Sequence, residues 1–158
     1  MSYTRFIAMI VTSTVVMFGL MYLNTYALGH IQFSETRTYM ALYMGAVMAI
    51  IMLLFMWGMY NKQAFNYVVI ASSVAIFAVS LYLLRSQTTV QDVSWMRAMI
   101  PHHSIAILTS ERAEISDPRV QRLAKNIIEA QRLEIAEMNA LIADLQGGRP
   151  ATPEIDGR

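Results

Sequence analysis

Long uncharged runs alternate with short polar stretches through the first half of the chain. No residue is charged between Arg5 and His30, and further uncharged runs cover residues 38–60 and 64–84. Each run can cross a bilayer core of roughly 30 Å as a helix. The pattern predicts three transmembrane helices, over residues 6–28, 38–60 and 64–84. The first run is too long for a cleaved signal peptide and is interpreted as a retained span.

The second half mixes apolar and charged positions at helical spacing. It predicts a fourth helix over residues 90–115, with Thr88 and Gln91 at capping-box spacing at its start. Pro101 predicts a kink or a restart within that helix. A fifth helix is predicted from Pro118 to residue 146, because Asp117 and Pro118 suit a helix start and two glycines follow its end.

The predicted fold is an all-α membrane protein with three domains. Residues 1–86 form three transmembrane helices and residues 87–146 an extramembrane antiparallel two-helix hairpin, followed by a Gly/Pro-containing tail at 147–158. The tail is expected to be disordered unless a partner holds it. A two-helix hairpin buries one seam, so it is expected to complete a bundle as a homo-oligomer or as a subunit of a membrane complex.

The composition agrees with a membrane protein and excludes several classes of function. Of the 158 residues 56% are apolar and 15% charged, and the mean hydropathy is +0.41. The net charge of +1 gives no reason to expect nucleic acid as a partner. Without cysteine, disulfides, thiolate metal sites and thiol catalysis are excluded. Basic residues flank the spans evenly, so charge does not decide which side the hairpin occupies.

Methionine is the unusual count, at 13. Flexible apolar packing explains such a count, and so does a set of soft thioether ligands suited to Cu(I). In the second span methionines recur every four residues, so that adjacent ones can touch. They are adaptable packing or, alternatively, the path of a small oligomeric metal transporter. The members are Met40, Met44, Met48, Met52 and Met56.

The candidate site lies in the hairpin. Gln131 and Glu134 interrupt the apolar seam of the fifth helix, and buried amides and carboxylates need partners. On the fourth helix Met96, Met99 and His103 share one face, and His102 lies about 100° round. Counted by helix rise from the turn, His103 and Gln131 come opposite each other, with Glu134 and Met138 one and two turns further along.

These donors suggest a metal site. Imidazole with thioether favours Cu(I), while imidazole with carboxylate suits Cu(II) or Zn(II). The predicted ligands are His102, His103, Met99, Met96, Glu134, Met138 and Gln131. A buried hydrogen-bonded network that holds the hairpin in register is the structural alternative. No catalytic motif is found, so an enzyme is not predicted, and the lone loop residue His30 is interpreted as solvated.

The run Met99-Ile100-Pro101-His102-His103, followed by Asp117-Pro118 and then by Gln131, Glu134 and Met138, resembles the bacterial family called domain of unknown function 305. The resemblance covers residues 90–145. It implies a ferritin-like helical fold, of which the hairpin would be half. It also implies copper binding and a place in the bacterial inner membrane, with the hairpin on the extracytoplasmic side. Thr109 departs from the family pattern, which has a methionine there, and this weakens the Cu(I) prediction.

Overall fold

A computed structural model describes residues 2–147 as helices joined by short connections, with no strand among them. The predicted tail therefore lies outside the described residues, apart from Gly147. Two single 3₁₀ turns, Leu28–His30 and Trp57–Met59, follow α1 and α2. The α-helices are α1 Tyr3–Leu20, α2 Glu35–Phe55, α3 Gln63–Ser86, α4 Asp92–Arg112 and α5 Pro118–Leu145.

The first three helices are long and apolar enough to cross a membrane. The first of them is shorter than the uncharged run that predicted it, because α1 gives way to turns after Leu20. The second begins earlier than predicted, at Glu35, and ends at Phe55, before a 3₁₀ turn. Sequence hydropathy marks where an apolar run stops rather than where helical backbone stops.

The chain divides into two compact units, each described here by itself. The first unit holds residues 2–21 and 35–90, and the second holds residues 22–34 and 91–147. Residues 22–34, named here the connecting segment, join α1 to α2 in sequence but pack with α4 and α5. The sequence offered no prediction of this placement.

In the first unit α2 packs against both α1 and α3. Small residues make the contact, since Ala41, Gly45, Ala46 and Ala49 are among the buried positions of α2. At Gly45 a Cβ would collide with the side chain of Thr14 in α1, which shows how closely these helices approach. Small residues allow such close approach between helices in lipid.

Two polar side chains buried in this unit, Asn66 and Arg37, have partners at helix ends. Asn66 is fully buried; its side-chain oxygen accepts from the Tyr3 hydroxyl at 2.9 Å and its amide donates to the Tyr60 carbonyl at 3.1 Å. Arg37 donates to the carbonyl of Met21, the residue that caps the C-terminus of α1. A cation satisfying a terminal carbonyl also suits the negative end of the helix dipole.

In the second unit α4 and α5 share an apolar core. The two helices are antiparallel. Arg97, near the start of α4, donates to Gln146 just after the end of α5, and Glu111, near the end of α4, pairs with Arg132 in the middle of α5. The core consists of Met96, Ile100, Ile107, Ile135, Met138 and Ile142.

Helix ends in this unit test the predicted caps. Asp117 accepts a hydrogen bond from the Arg119 amide at 2.8 Å with Pro118 in the first turn, which confirms the predicted start of α5. Gly147 follows its end with a positive φ of 80°. The capping box at α4 is wrong: Gln91 is the N-cap and its side chain makes no cap bond, while the Thr88 hydroxyl lies 3.2 Å from that of Ser86.

Pro101 neither ends nor restarts α4, which runs through it unbroken. The prolyl ring lacks an N–H, so the carbonyl of Arg97 loses its usual helical donor. Pro101 is fully buried. We attribute the continuity to this burial, because the packing of α4 on its neighbours offsets one missing hydrogen bond.

Candidate functional site

His103 of α4 and two polar side chains of α5 come together, as the rise count predicted. Nδ1 of His103 lies 3.0 Å from Oε2 of Glu134. The Gln131 amide donates to that same oxygen at 3.0 Å. One carboxylate oxygen thus faces both an imidazole and an amide, and these three predicted site residues form one polar cluster.

The contact of His103 with Glu134 is an ion-pair distance without a hydrogen bond. The His103 side chain is 15% exposed and its Nδ1 is buried with no hydrogen-bond partner. Ring nitrogens bond along the direction of their N–H, so we infer that Oε2 lies to one side of that direction. The cluster therefore contains a buried imidazole nitrogen whose bonding capacity is unused.

Burial lowers the pKa of His103 below its ordinary value of 6.5. The Glu134 carboxylate opposes this shift and the nearby His102 adds to it. Desolvation is the largest of the three effects, since a charged imidazolium loses hydration there. His103 is accordingly neutral at pH 7, which is the form of imidazole that binds metals.

His102 faces differently from its neighbour. Its side chain is exposed, and the centroids of the two imidazole rings are 6.0 Å apart. Successive residues on a helix point about 100° apart, so one position can face inward while the next faces out. The structure thus brings His103 into the polar cluster and leaves His102 at the surface.

The three predicted methionine ligands lie in the neighbouring core. Met96 and Met138 are buried members of it, and Met99 packs against it half-buried. Met99 precedes His103 by one helical turn and Met138 follows Glu134 by one turn, so each thioether lies on the turn next to the cluster.

Carboxylates and imidazoles are not clustered in the described part of the chain. Within residues 2–147, no three His, Cys, Asp or Glu side chains are grouped closely enough to hold an ion. A zinc site of the usual composition needs three or four such ligands.

The methionine row of α2 is half-buried along its length. Met52 and Met56 pack against an aromatic and aliphatic cluster that contains Phe6 and Tyr60. Four of the buried positions of α2 are alanine or glycine, and the others are Arg37 and Leu53. Met52 and Met56 therefore take part in packing, and the transporter alternative for the row stays a prediction.

Sequence reasoning missed Ser104, the residue after His103. Its side chain is fully buried, and its Oγ accepts the Tyr26 amide at 2.7 Å and lies 2.8 Å from Nδ1 of His30. Both partners belong to the connecting segment. The interpretation of His30 as a solvated loop residue is wrong, because His30 is half-buried and bonded.

Ser104 Oγ connects Tyr26 and His30. It accepts the Tyr26 amide, and it either donates to Nδ1 of His30 or accepts from it, depending on the tautomer of the imidazole ring. Burial lowers the pKa of His30 below 6.5, which favours the neutral ring. The alternation of His30, Gln32 and Ser34 with Ile31 and Phe33 is the sequence signal that could have revealed a two-faced segment.

Further contacts bind the connecting segment to α5. Gln32 donates to the Asn139 side chain at 3.1 Å, and the Arg132 guanidinium lies 5.9 Å from the ring centroid of Tyr26. A cavity of about 270 Å³ remains beside them. It is lined by Tyr26, Ala27, His30, Ile107, Arg132 and Ile135.

Comparison with known proteins shows which family the C-terminal part of the chain is similar to. Residues 82–153 match the family described as "Domain of unknown function (DUF305)". The C-terminal part of the chain is thus similar to DUF305. The DUF305-like region contains α4, α5 and the whole polar cluster, so the match supports the family that the His–His motif resembles.

A curated relative extends the match to a virus. "Uncharacterized protein L153" of Acanthamoeba polyphaga mimivirus is 38% identical over 72 residues, which are 44% of this chain and 47% of the relative. The chain thus matches about half the length of this relative. No solved structure matches the chain.

Proposed function

We propose that this chain is a membrane-anchored metal-binding protein that binds copper as Cu(I) through its α4–α5 hairpin. The observation that carries the proposal is the buried Nδ1 of His103, which makes no hydrogen bond although it lies beside Glu134. Buried polar atoms normally have partners, and an unpaired one calls for an explanation such as an ion. Support for the anchor comes from the length and apolar character of α1, α2 and α3.

The donors present fit a soft ion better than a hard one. A neutral imidazole is available at His103, and methionines occupy the turns next to His103 and Glu134. Thioether sulfur selects Cu(I) over Mg²⁺ or Ca²⁺, which prefer oxygen. His103 would be the principal ligand and Met99 the first thioether, with Met96, Met138 and the exposed His102 able to add to the set.

Location follows from the family resemblance rather than from charge. We place the protein in the bacterial inner membrane, with the hairpin on the extracytoplasmic side. A pair of helices that buries one seam gains from a second copy or a larger complex, so an oligomer or an accessory role in a membrane complex belongs to the proposal.

Cu(I) titration of the purified full-length protein tests the proposal. In competition with a chromophoric Cu(I) chelator under anaerobic conditions, we expect one ion per chain for the natural sequence and none for His103→Ala. Met99→Leu should weaken binding tenfold or more, equivalent to about 1.4 kcal/mol. Met9→Leu in α1 and His30→Asn are the matched controls, since each removes the same type of donor outside the predicted ligand set.

Equal copper binding by His103→Ala and the natural protein would overturn the assignment. If Zn²⁺ binds as tightly and Met99→Leu changes nothing, the site uses nitrogen and oxygen ligands alone. Circular dichroism of each variant distinguishes loss of a ligand from loss of the helical fold.

The polar cluster also favours a second candidate, an accessory subunit in which it has a structural role. Gln131 and His103 each lie within 3.0 Å of Glu134 Oε2, which is the arrangement expected if polar contacts set the register of the two helices. In that case Glu134→Gln lowers the melting temperature of the α4–α5 hairpin. Copper then leaves the melting temperature of the natural protein unchanged. A copper-dependent rise in melting temperature that Glu134→Gln leaves in place would favour metal binding.

A further inference from the structure

The connecting segment has two faces of inverted character. Several of its polar groups are buried or bonded inside its own unit: Ser34 and Tyr22 are buried, with the Tyr22 hydroxyl accepting from the Ser34 amide at 3.2 Å. His30 and Gln32 bond to α4 and α5. The residues between them point the other way.

Most of the exposed side chains of the segment are aliphatic or aromatic, and Asn24 is the polar exception. Leu28 is 86% exposed and Phe33 is 63% exposed, and both Leu23 and Ile31 are exposed as well. A loop in water normally turns its polar side chains outward, and scattered exposed apolar residues need no explanation. Here several apolar residues are exposed on one short segment while most of its polar residues bond inside, so the outer face suits apolar surroundings.

The chain itself indicates what those surroundings are. The segment begins where α1 ends and stops where α2 begins, and both helices are apolar enough to span a membrane. No residue between Arg5 and Glu35 carries a full charge when His30 is neutral. A segment held between the ends of two spans lies at the depth of the lipid headgroups, where leucine and phenylalanine can insert into the acyl boundary.

We propose that the outer face of the connecting segment, formed by Leu23, Leu28, Ile31 and Phe33, inserts into the interfacial layer of the bilayer while its inner face binds α4 and α5. The segment is then a membrane-lying platform for the DUF305-like region. This inference rests on the proposed membrane anchor but is independent of copper.

Single spin labels test it, because the natural chain contains no cysteine. The full-length variants Leu28→Cys and Phe33→Cys are labelled with a nitroxide and reconstituted in vesicles of phosphatidylcholine with a minority of phosphatidylglycerol. Oxygen concentrates in lipid and a nickel chelate in water, so power saturation with each reports the surroundings. We expect oxygen-to-nickel accessibility ratios several-fold higher at Leu28 and Phe33 than at Leu133→Cys, an equally exposed leucine of α5.

A label at Val79→Cys, exposed on α3, separates the two proposals. If Val79 is in lipid and the Leu28 and Phe33 labels are in water, the platform is wrong and the anchor stands. If the Val79 label is in water, the anchor fails and the platform with it. Labels at Leu28 and Phe33 that neither reagent reaches would show that protein covers the face, and dipolar broadening between labels would identify a second copy; both results overturn lipid insertion.

Discussion

The three apolar helices turn small and polar residues inward and valine and leucine outward, whereas α4 and α5 turn isoleucine and methionine inward and charged residues outward. Both arrangements leave few buried polar groups unpaired. In the first unit close backbone approach and hydrogen bonds hold the helices together, as they do between helices in lipid. In the second unit the burial of isoleucine and methionine side chains stabilises the packing of α4 on α5 through the hydrophobic effect.

The connecting segment combines both rules. Its inner face is polar, like the interior of the first unit, yet it packs on the apolar core of α4 and α5. The distribution of polar and apolar residues between its two faces is therefore not the one expected for a loop in water. Each of the following changes tests whether the two units differ in this way.

Truncation of the core of the second unit should have the largest effect. Ile107→Ala, at a position that is 1% exposed, should lower the free energy of unfolding of α4 and α5 by about 2–5 kcal/mol, since a cavity is left behind. Amide hydrogen exchange of the full chain in nanodiscs measures the change helix by helix. Leu133→Ala on the exposed side of α5 is the control and should stay within about 0.5 kcal/mol; equal effects would mean that no core of this kind exists.

Removal of one buried hydroxyl should come next. Ser104→Ala leaves the Tyr26 amide and Nδ1 of His30 without a partner, at an expected cost of about 1–3 kcal/mol. Faster exchange should appear in the connecting segment and in α4. Thr109→Ala removes a hydroxyl that bonds only carbonyls of its own helix and should be nearly silent. Unchanged exchange at Tyr26 would contradict the bond.

The contact between α1 and α2 should be sensitive to a single methyl group. In Gly45→Ala the new Cβ meets the side chain of Thr14, whose hydroxyl is held on the Ile10 carbonyl at 2.8 Å. Overpacking of this kind costs about 1–3 kcal/mol. Gly19→Ala is the matched control, since no atom lies within 4 Å of the added carbon. Unfolding of reconstituted protein by a denaturing detergent compares the two, and equal stabilities would show that the helices are further apart.

Acidification should weaken the second unit slightly and leave the first unchanged. Burial lowers the pKa of His30 below the unfolded value of 6.5. The contribution of the neutral ring to the free energy of unfolding is therefore complete above pH 6.5 and is lost as the pH falls through the lowered pKa. Arg132 lines the same cavity as His30, and Glu111 is the ion-pair partner of Arg132. His103 titrates in the same direction.

Thermal unfolding between about pH 5.5 and 7.5 measures this slope. His30→Asn keeps a polar side chain near Ser104 Oγ but cannot titrate, so it should flatten the slope, with the contribution of His103 remaining. Greater stability of the second unit on acidification would contradict the assigned direction.

Sequence reasoning located the helices and the polar cluster because both leave periodic signals. The Asp117–Pro118 start and the equal rise from the turn were enough to bring His103 near Gln131 and Glu134. Ser104 left no such signal, since a serine within a helix usually bonds its own turn, and Tyr26 lies 78 positions away. A restart at Pro101 was wrong because tertiary packing overrides local preference, while a kink there stays a prediction.

Arg37 gives the connecting segment a further property. By binding the Met21 carbonyl it ties the two ends of that segment together, so that the chain between them is already a closed loop. Ordering a short closed loop costs less conformational entropy than ordering a free one. Since the N-terminal part of a protein leaves the ribosome first, both ends of this loop are synthesised before α4 and α5.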